Sequence, residues 1–223
     1  MQNARGMPLT PAQLAALRQE YSLKSLHRED LHPDPIEQFR AWLIEASEKE
    51  VLEPNAMTLA TVDPEGQPWT RTVLLKGVDA RGFTFFTNYE GAKGQHMAAN
   101  PRVGLTFWWG PLERQVNITG TISRASREEA ELYFHSRPET SQLGAWASAQ
   151  STVVEGREEL ERKFAEARSR FPEGQIPLPP FWGGYVVAPQ TIEFWQGQRS
   201  RLHDRLRYTR EANGSWKIER LSP

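Results

Sequence analysis

The sequence predicts a mainly β protein with inserted helices: an antiparallel sheet, closed or partly closed into a barrel. Three observations carry that expectation. Strand-like segments, about seven of them, recur along most of the chain. Tight turns join many of them, among them Asp63-Pro64-Glu65-Gly66, Asp79-Ala80-Arg81-Gly82 and Asn213-Gly214, which favours antiparallel pairing. Helical patterns do not alternate with strands, so a parallel doubly wound sheet fits poorly.

The elements follow from local signals. Thr10-Pro11 pairs an N-cap with a first-turn proline and opens a helix expected to reach Tyr21, with Arg18 and Tyr21 near its end. Asp34-Pro35 repeats the signal, and Ile36, Phe39, Trp42, Leu43 and Ala46 follow with helical spacing. Strands are expected at Ala56–Val62, Trp69–Gly77 and Phe83–Thr87, then a short helix over Ala92–Ala99 that stops at Asn100-Pro101. Val103–Trp109 and Arg114–Ser123 read as strands. Ser126 with Glu129 is a capping box for a helix that ends before Pro138, and Glu155–Phe171 is a charged amphipathic helix. Tyr185–Trp195, Arg201–Glu211 and Trp216–Leu221 complete the strands. Residues 1–54 read as a helical arm and lid, and residues 55–223 as the barrel domain.

Composition narrows the function. The 223 residues suit one domain with an arm, and the formal net charge of −1 gives no global attraction to nucleic acid or an anionic membrane. Any anion site must therefore be a local cluster. The chain has no cysteine, which excludes thiol nucleophiles and thiolate metal sites. The five histidines show no paired metal-ligand spacing, so no metal is expected. The first ten residues lack a signal-peptide core, and no apolar run approaches the roughly 20 residues of a membrane span. A cytoplasmic protein is expected. There is no GxGxxG fingerprint, Walker loop or nucleophile elbow, so enzyme chemistry would need a borrowed cofactor.

The densest chemical signal lies near the C-terminus. If residues 199–207 form a strand, Arg199, Arg201, His203, Arg205 and Arg207 share one face, with Leu202, Leu206 and Tyr208 on the other. Two readings fit: a rigid surface for an anionic ligand, or a solvated cationic face. The pattern alone does not separate them.

This stretch also carries a resemblance. The run W-Q-G-x-x-x-R-L-H-D-R from Trp195 and the terminal Arg220-Leu221-Ser222-Pro223 are accompanied, in order, by earlier motifs. These are R-x-V-L-L-K (Arg71 to Lys76), F-x-T-N (Phe85 to Asn88), N-P-R-V from Asn100, E-R-Q-V from Glu113, Y-F-x-S-R-P from Tyr133, S-Q-L-G-A-W from Ser141, Gln150-Ser151 and F-W-G-G from Phe181. Together they resemble the pyridoxamine 5′-phosphate oxidase family, over the chain from about Arg18 to the end.

The resemblance implies an FMN-binding split barrel, homodimeric, with the flavin at the subunit interface. It implies FMN-dependent oxidation of pyridoxamine 5′-phosphate and pyridoxine 5′-phosphate to pyridoxal 5′-phosphate, with O2 as acceptor and H2O2 released. By the same resemblance Arg71, Thr72, Val73, Leu74, Leu75, Lys76, Phe86, Thr87, Lys93, Gln115, Gln150, Ser151, Trp195 and Arg205 contact the flavin. Lys76, Tyr133, Arg137 and Ser141 bind the substrate phosphate. Arg201 and His203 face its ring and reacting group, and Arg18 and Tyr21 form a lid. Strand parity adds that Arg71 and Lys76 point to opposite faces, one for each phosphate. The chain departs from the family pattern at Gly91 and Ala92, where a serine and a basic residue are frequent before the position of Lys93. Two rivals are a non-catalytic flavin or pyridoxal 5′-phosphate binding barrel and a nucleic-acid module. Neutral overall charge weakens the second.

Overall fold

The computed structural model describes residues 10–17, 20–171 and 175–223. The first helix, α1 (Pro11–Ala16), is opened by a complete capping box between Thr10 and Gln13. It stops well short of Tyr21, contrary to expectation. None of its residues is buried, and a six-residue helix with no packed face gains little beyond its cap. Arg18 lies outside the described residues.

Helix α2 (Pro35–Glu48) behaves differently, because its apolar spacing finds a core. The Asp34 carboxylate accepts from the Ile36 N–H, and Ile36, Phe39, Trp42 and Ala46 are buried. The Phe39 ring lies 4.9 Å from both Phe83 and Phe107, and Trp42 lies 5.0 Å from Phe194. One helix face thus packs against three strands. Replacing such a ring by alanine would cost about 3–5 kcal/mol.

Among the described residues nine strands follow, all paired antiparallel: β1 (Ala56–Val62), β2 (Pro68–Leu74), β3 (Gly77–Asp79), β4 (Gly82–Asn88), β5 (Arg102–Trp109), β6 (Arg114–Arg124), β7 (Trp182–Gln196), β8 (Asp204–Arg210) and β9 (Trp216–Leu221). Hydrogen bonding runs in the order β2-β1-β5-β6-β7-β4-β3. Its two ends, β2 and β3, are separated in sequence only by Leu75 and Lys76. That short link curls the sheet back on itself into a barrel. The split comes from β7. Its first half pairs with β4 and its second half with β8, while β6 flanks almost its whole length. The hairpin β8–β9 therefore leaves the barrel as a separate arm.

Three expectations are corrected here. The strand expected over Trp69–Gly77 ends at Leu74, because the Leu75 N–H bonds to Asn55 O and the Lys76 N–H to Thr84 O, each at 2.8 Å. Two different partners bend the chain, so a parity rule that assumes one regular strand fails for Arg71 and Lys76. The strand expected from Arg201 begins at Asp204. Before it, Arg199–Arg201 forms a 3-10 turn, with Ser200 and Arg201 left-handed at φ 56° and 64°. Finally, a helix absent from the sequence reading, α5 (Glu139–Ala147), starts directly after Pro138. A proline there ends one helix and, with its fixed φ, opens the next.

Helices α3 (Ala92–Ala99), α4 (Arg127–Ser136) and α6 (Arg157–Arg170) agree with expectation. A second apolar cluster joins Ala130, Phe134, Leu143, Ala167, Ile176, Leu178 and Trp182, and so fastens α4, α5 and α6 to the start of β7. No helix among the described residues is long and apolar enough to cross a membrane.

One charged contact ties α2 to the barrel. Arg114 is 6% exposed; its guanidinium lies 4.2 Å from the Trp42 ring and donates to Glu45 at 2.6 Å and Gln196 at 2.8 Å. Burial pushes the Glu45 carboxyl up, but hydrogen bonds from Lys24 and Arg114 outweigh it and hold it below its ordinary 4.5. A folded-state value below the unfolded one adds stability at higher pH. Glu45→Gln should therefore lower the melting temperature at neutral pH. The deficit should persist down to about pH 4.5 and shrink below it, as the native carboxyl protonates. Thermal melts of both proteins from pH 7 to pH 3 check this.

Candidate active site

Two half-buried cations meet beside β1. Arg71 sits on β2 opposite Leu59, and its Nη1 donates to Thr61 Oγ1 at 2.6 Å and to Leu59 O at 3.2 Å. Lys93, in the first turn of α3, donates to Thr87 Oγ1 at 3.2 Å and to Gln150 Oε1. Burial, and secondarily the Arg71 charge, hold the Lys93 ammonium below its usual range; burial also lowers Arg71. Neither forms an ion pair among the described residues. Two adjacent cations, partly desolvated and unneutralised, make a receptor for a doubly charged anion. The start of α3 adds to it, since Gly91 offers no side-chain cap to the first-turn N–H groups. The space a side chain at Gly91 would need is taken by Gln150, whose Oε1 would lie 2.7 Å from an added Cβ.

Of the other residues expected at the flavin, only Thr87 and Gln150 touch this pair among the described residues, through Lys93. Thr72 is exposed, Val73 and Leu74 are half-buried and Leu75 is buried. Thr87 is buried at the end of β4, and Ser151, left-handed at φ 72°, follows Gln150. Phe86 points into a ring stack, with Tyr133 at 4.2 Å and Trp182 at 5.7 Å.

That stack leads to a second cationic group. Lys76 Nζ lies 5.7 Å from the Tyr133 ring centre, and the Arg137 guanidinium lies 4.8 Å from Trp182. Arg137 Nη2 donates to Ser141 O at 2.8 Å. Its Nη1 is buried with no partner, which is rare for a charged donor and marks a place where a ligand atom is expected. Lys76, Tyr133, Arg137 and Ser141 therefore do come together, although Lys76 reaches them from a loop rather than from a strand. Neither Lys76 nor Arg137 makes an ion pair among the described residues.

The C-terminal residues assemble elsewhere. His203 lies 4.6 Å from Trp195 and 5.8 Å from Tyr21, ring centre to ring centre, and the Arg201 guanidinium is 5.8 Å from Tyr21. Tyr21 sits on Gly197, where a Cβ would come within 2.7 Å of its Cγ, so only glycine admits the ring. The segment carrying Tyr21 is pinned from below: Glu113 accepts the N–H groups of Ser22 at 2.8 Å and Leu23 at 3.0 Å. The Gln198 N–H donates to His203 Nδ1 at 3.1 Å, so the neutral ring carries its proton on Nε2. Burial first, and the Arg201 charge second, hold this imidazole below its ordinary 6.5. Gln115 lies opposite Trp195 in the sheet and borders the same surface.

Two arginines of the cationic row read from the sequence are neutralised. Arg205 forms two hydrogen bonds to Glu193, at 2.8 and 3.0 Å, and Arg207 pairs with Glu219 at 3.5 Å. These carboxylates stand on the neighbouring strands β7 and β9, so a one-strand pattern could not reveal them. Arg201 keeps its charge unpaired among the described residues because the turn lifts it off the strand. Among the described residues, no hydrogen bond, ion pair or ring contact joins this C-terminal group to the Arg71 or Arg137 groups. Thr61, Trp182 and Gln198 also contact these groups, although the sequence reading assigns them no role. Trp182 stands in the quoted F-W-G-G motif, whereas Thr61 and Gln198 had no local signal.

Residues 43–171 match the family described as pyridoxamine 5′-phosphate oxidase, and residues 182–223 match the pyridoxine 5′-phosphate oxidase C-terminal dimerisation region. A pyridoxine/pyridoxamine 5′-phosphate oxidase of Rubrobacter xylanophilus is 57% identical over 210 residues, covering 94% of this chain and 96% of that protein. One from Cupriavidus necator is 55% identical over 211 residues, covering 95% and 99%. Among solved structures, PhzG from Burkholderia lata 383, in complex with tetrahydrophenazine-1-carboxylic acid, superposes with a TM-score of 0.85 at 29% identity, covering 92% of this chain and all of that one.

Proposed function

Because this chain belongs to the pyridoxamine 5′-phosphate oxidase family, we propose that its two unneutralised cation clusters hold the two phosphates of that reaction. The protein oxidises pyridoxamine 5′-phosphate and pyridoxine 5′-phosphate to pyridoxal 5′-phosphate, uses FMN, and acts as a homodimer. FMN, when bound, supplies the two-electron acceptor that O2 restores with release of H2O2. The residues present fit that cofactor: Arg71, Lys93 and the first turn of α3 offer a dianion site, with Thr87 and Gln150 as adjoining hydrogen-bonding groups.

The observation that carries the residue assignment is the buried, unpartnered Arg137 Nη1, whose guanidinium lies over Trp182 in the ring stack that Lys76 reaches through Tyr133. It supplies a second cationic position that adjoins the Arg71–Lys93 pair, since Arg137, Ser141 and Trp182 line one cavity with Gln150, the acceptor of Lys93; a phosphorylated substrate lying against a phosphorylated cofactor requires two such positions. Arg201 and His203 orient the substrate ring, with the His203 Nε2–H as a donor. They lie in the stretch that matches the dimerisation region, so in this reading they serve the Arg137 cluster of the partner protomer. The chain's contribution is mainly positioning. Fixing two reactants in a near-attack arrangement supplies on the order of 7–11 kcal/mol in favourable cases. Tyr21, in the segment held by Glu113 and seated on Gly197, packs edge-on against His203 and lies beside Arg201. The proposal includes a cytoplasmic location, which cell fractionation would test.

Anaerobic addition of pyridoxamine 5′-phosphate to the purified, FMN-loaded protein should bleach the visible flavin band, and admission of air should restore it with peroxide. A flavin band that persists under substrate would refute catalysis and favour a binding-only barrel.

A further inference from the structure

Helix α3 carries a second residue aimed at the flavin-phosphate site, and no motif singled it out. Lys93 and His96 are three apart and so share a helix face. Lys93 delivers its charge directly, whereas His96 Nδ1 lies 3.1 Å from Thr61 Oγ1. Thr61 is 1% exposed, and the same hydroxyl takes the 2.6 Å hydrogen bond from Arg71 Nη1.

A proton count fixes the direction of the first of these bonds, and the His96 tautomer that of the second. A guanidinium only donates, so the Thr61 oxygen accepts from Arg71. The single hydroxyl proton then needs an acceptor, and in the Nε2–H tautomer His96 Nδ1 is placed to receive it. The imidazole ring is itself braced. Trp69, whose Nε1 donates to Asp63 at 2.9 Å, lies 6.0 Å from it, ring centre to ring centre. With His96 as acceptor, the Thr61 rotor has one orientation, lone pair toward Arg71. Without it, the hydroxyl proton has no fixed acceptor, the rotor regains freedom, and only the guanidinium itself holds the lone pair in place.

We propose that His96 is a positioning residue for FMN binding, acting through the Thr61 hydroxyl to fix the guanidinium of Arg71. The inference rests on the reading of Arg71 as an FMN phosphate ligand. It makes α3 a single lever on that site, supplying one cation and locking the other.

The test is FMN affinity, read by quenching of FMN fluorescence on the apoprotein, with melting temperatures of each variant taken alongside. His96→Leu should raise the FMN Kd about tenfold, the ratio that corresponds to about 1.4 kcal/mol. His96→Asn, whose carbonyl can stand in for Nδ1, should stay within about threefold of wild type. In a Thr61→Val background His96→Leu should have no further effect, since the path between the two sites is gone. A His96→Leu Kd equal to wild type, or a loss that persists in the Thr61→Val background, would overturn the proposal. Absence of FMN binding by the wild-type protein would instead sink the functional reading beneath it, so the two failures are distinguishable.

Discussion

Arg201→Ala is expected to lower kcat/KM for pyridoxamine 5′-phosphate by roughly a hundredfold or more, the scale of removing one preorganised charged donor at a reacting centre. The FMN Kd should remain within about twofold. The asymmetry follows from placement. Arg201 sits in a left-handed turn beside Tyr21 and His203, with no ion pair among the described residues and no contact to the Arg71–Lys93 pair. Such a strained residue is kept for what its side chain does. A second readout separates this role from loss of structure. The Arg201 charge contributes, after burial, to holding the His203 imidazole below 6.5. Its removal should move the acid limb of the kcat/KM profile toward higher pH. An unchanged profile with unchanged turnover would remove Arg201 from the site.

Arg71→Ala is expected to act in the opposite sense, weakening FMN binding roughly 10- to 100-fold, as deletion of a charge-assisted bond to a dianion does. Saturating FMN should recover much of the turnover, because the proposed substrate-phosphate site is built by Lys76 and Arg137 instead. Arg71→Lys should recover only part of the affinity, since an ammonium cannot reproduce a forked guanidinium anchored on Thr61 and Leu59. The remaining cation sets the pH dependence. The Lys93 ammonium is held below its usual range in the free protein, so raising the pH discharges it earlier than an ordinary lysine. FMN affinity should fall across that alkaline range, and Lys93→Met should flatten the fall. Isothermal titration at several pH values measures both.

Local signals were legible in the sequence, and long-range ones were not. The starts of α1, α2 and α4 follow from Thr10-Pro11, Asp34-Pro35 and the Ser126–Glu129 box, because caps act within one turn. The end of α1 was misread because amphipathic spacing does not say whether a partner surface exists. Helix α5 was hidden because Pro138 reads as a stop when it is also a start. The turn before β8 was missed because Ser200 and Arg201 adopt left-handed backbone without a glycine or asparagine to announce it. The site shows the same division. Tyr133, Arg137 and Ser141 are close in sequence and come together. Neutralisation of Arg205 by Glu193, and the support of Arg71 by Thr61, depend on cross-strand register that only the folded sheet supplies.

The central claim is that each site draws one half from each protomer: the Arg137 cluster from one, Arg201 and His203 from the other. Mixing tests it. Arg137→Ala and Arg201→Ala chains, each nearly inactive as a homodimer, should be co-expressed with different tags and the mixed dimer isolated. One of its two sites then carries both defects and the other carries neither. The mixed dimer should regain about half the wild-type activity per dimer, as two-fold symmetry requires. A mixed dimer as inactive as its parents would show that the halves belong to one protomer, and would contradict the account.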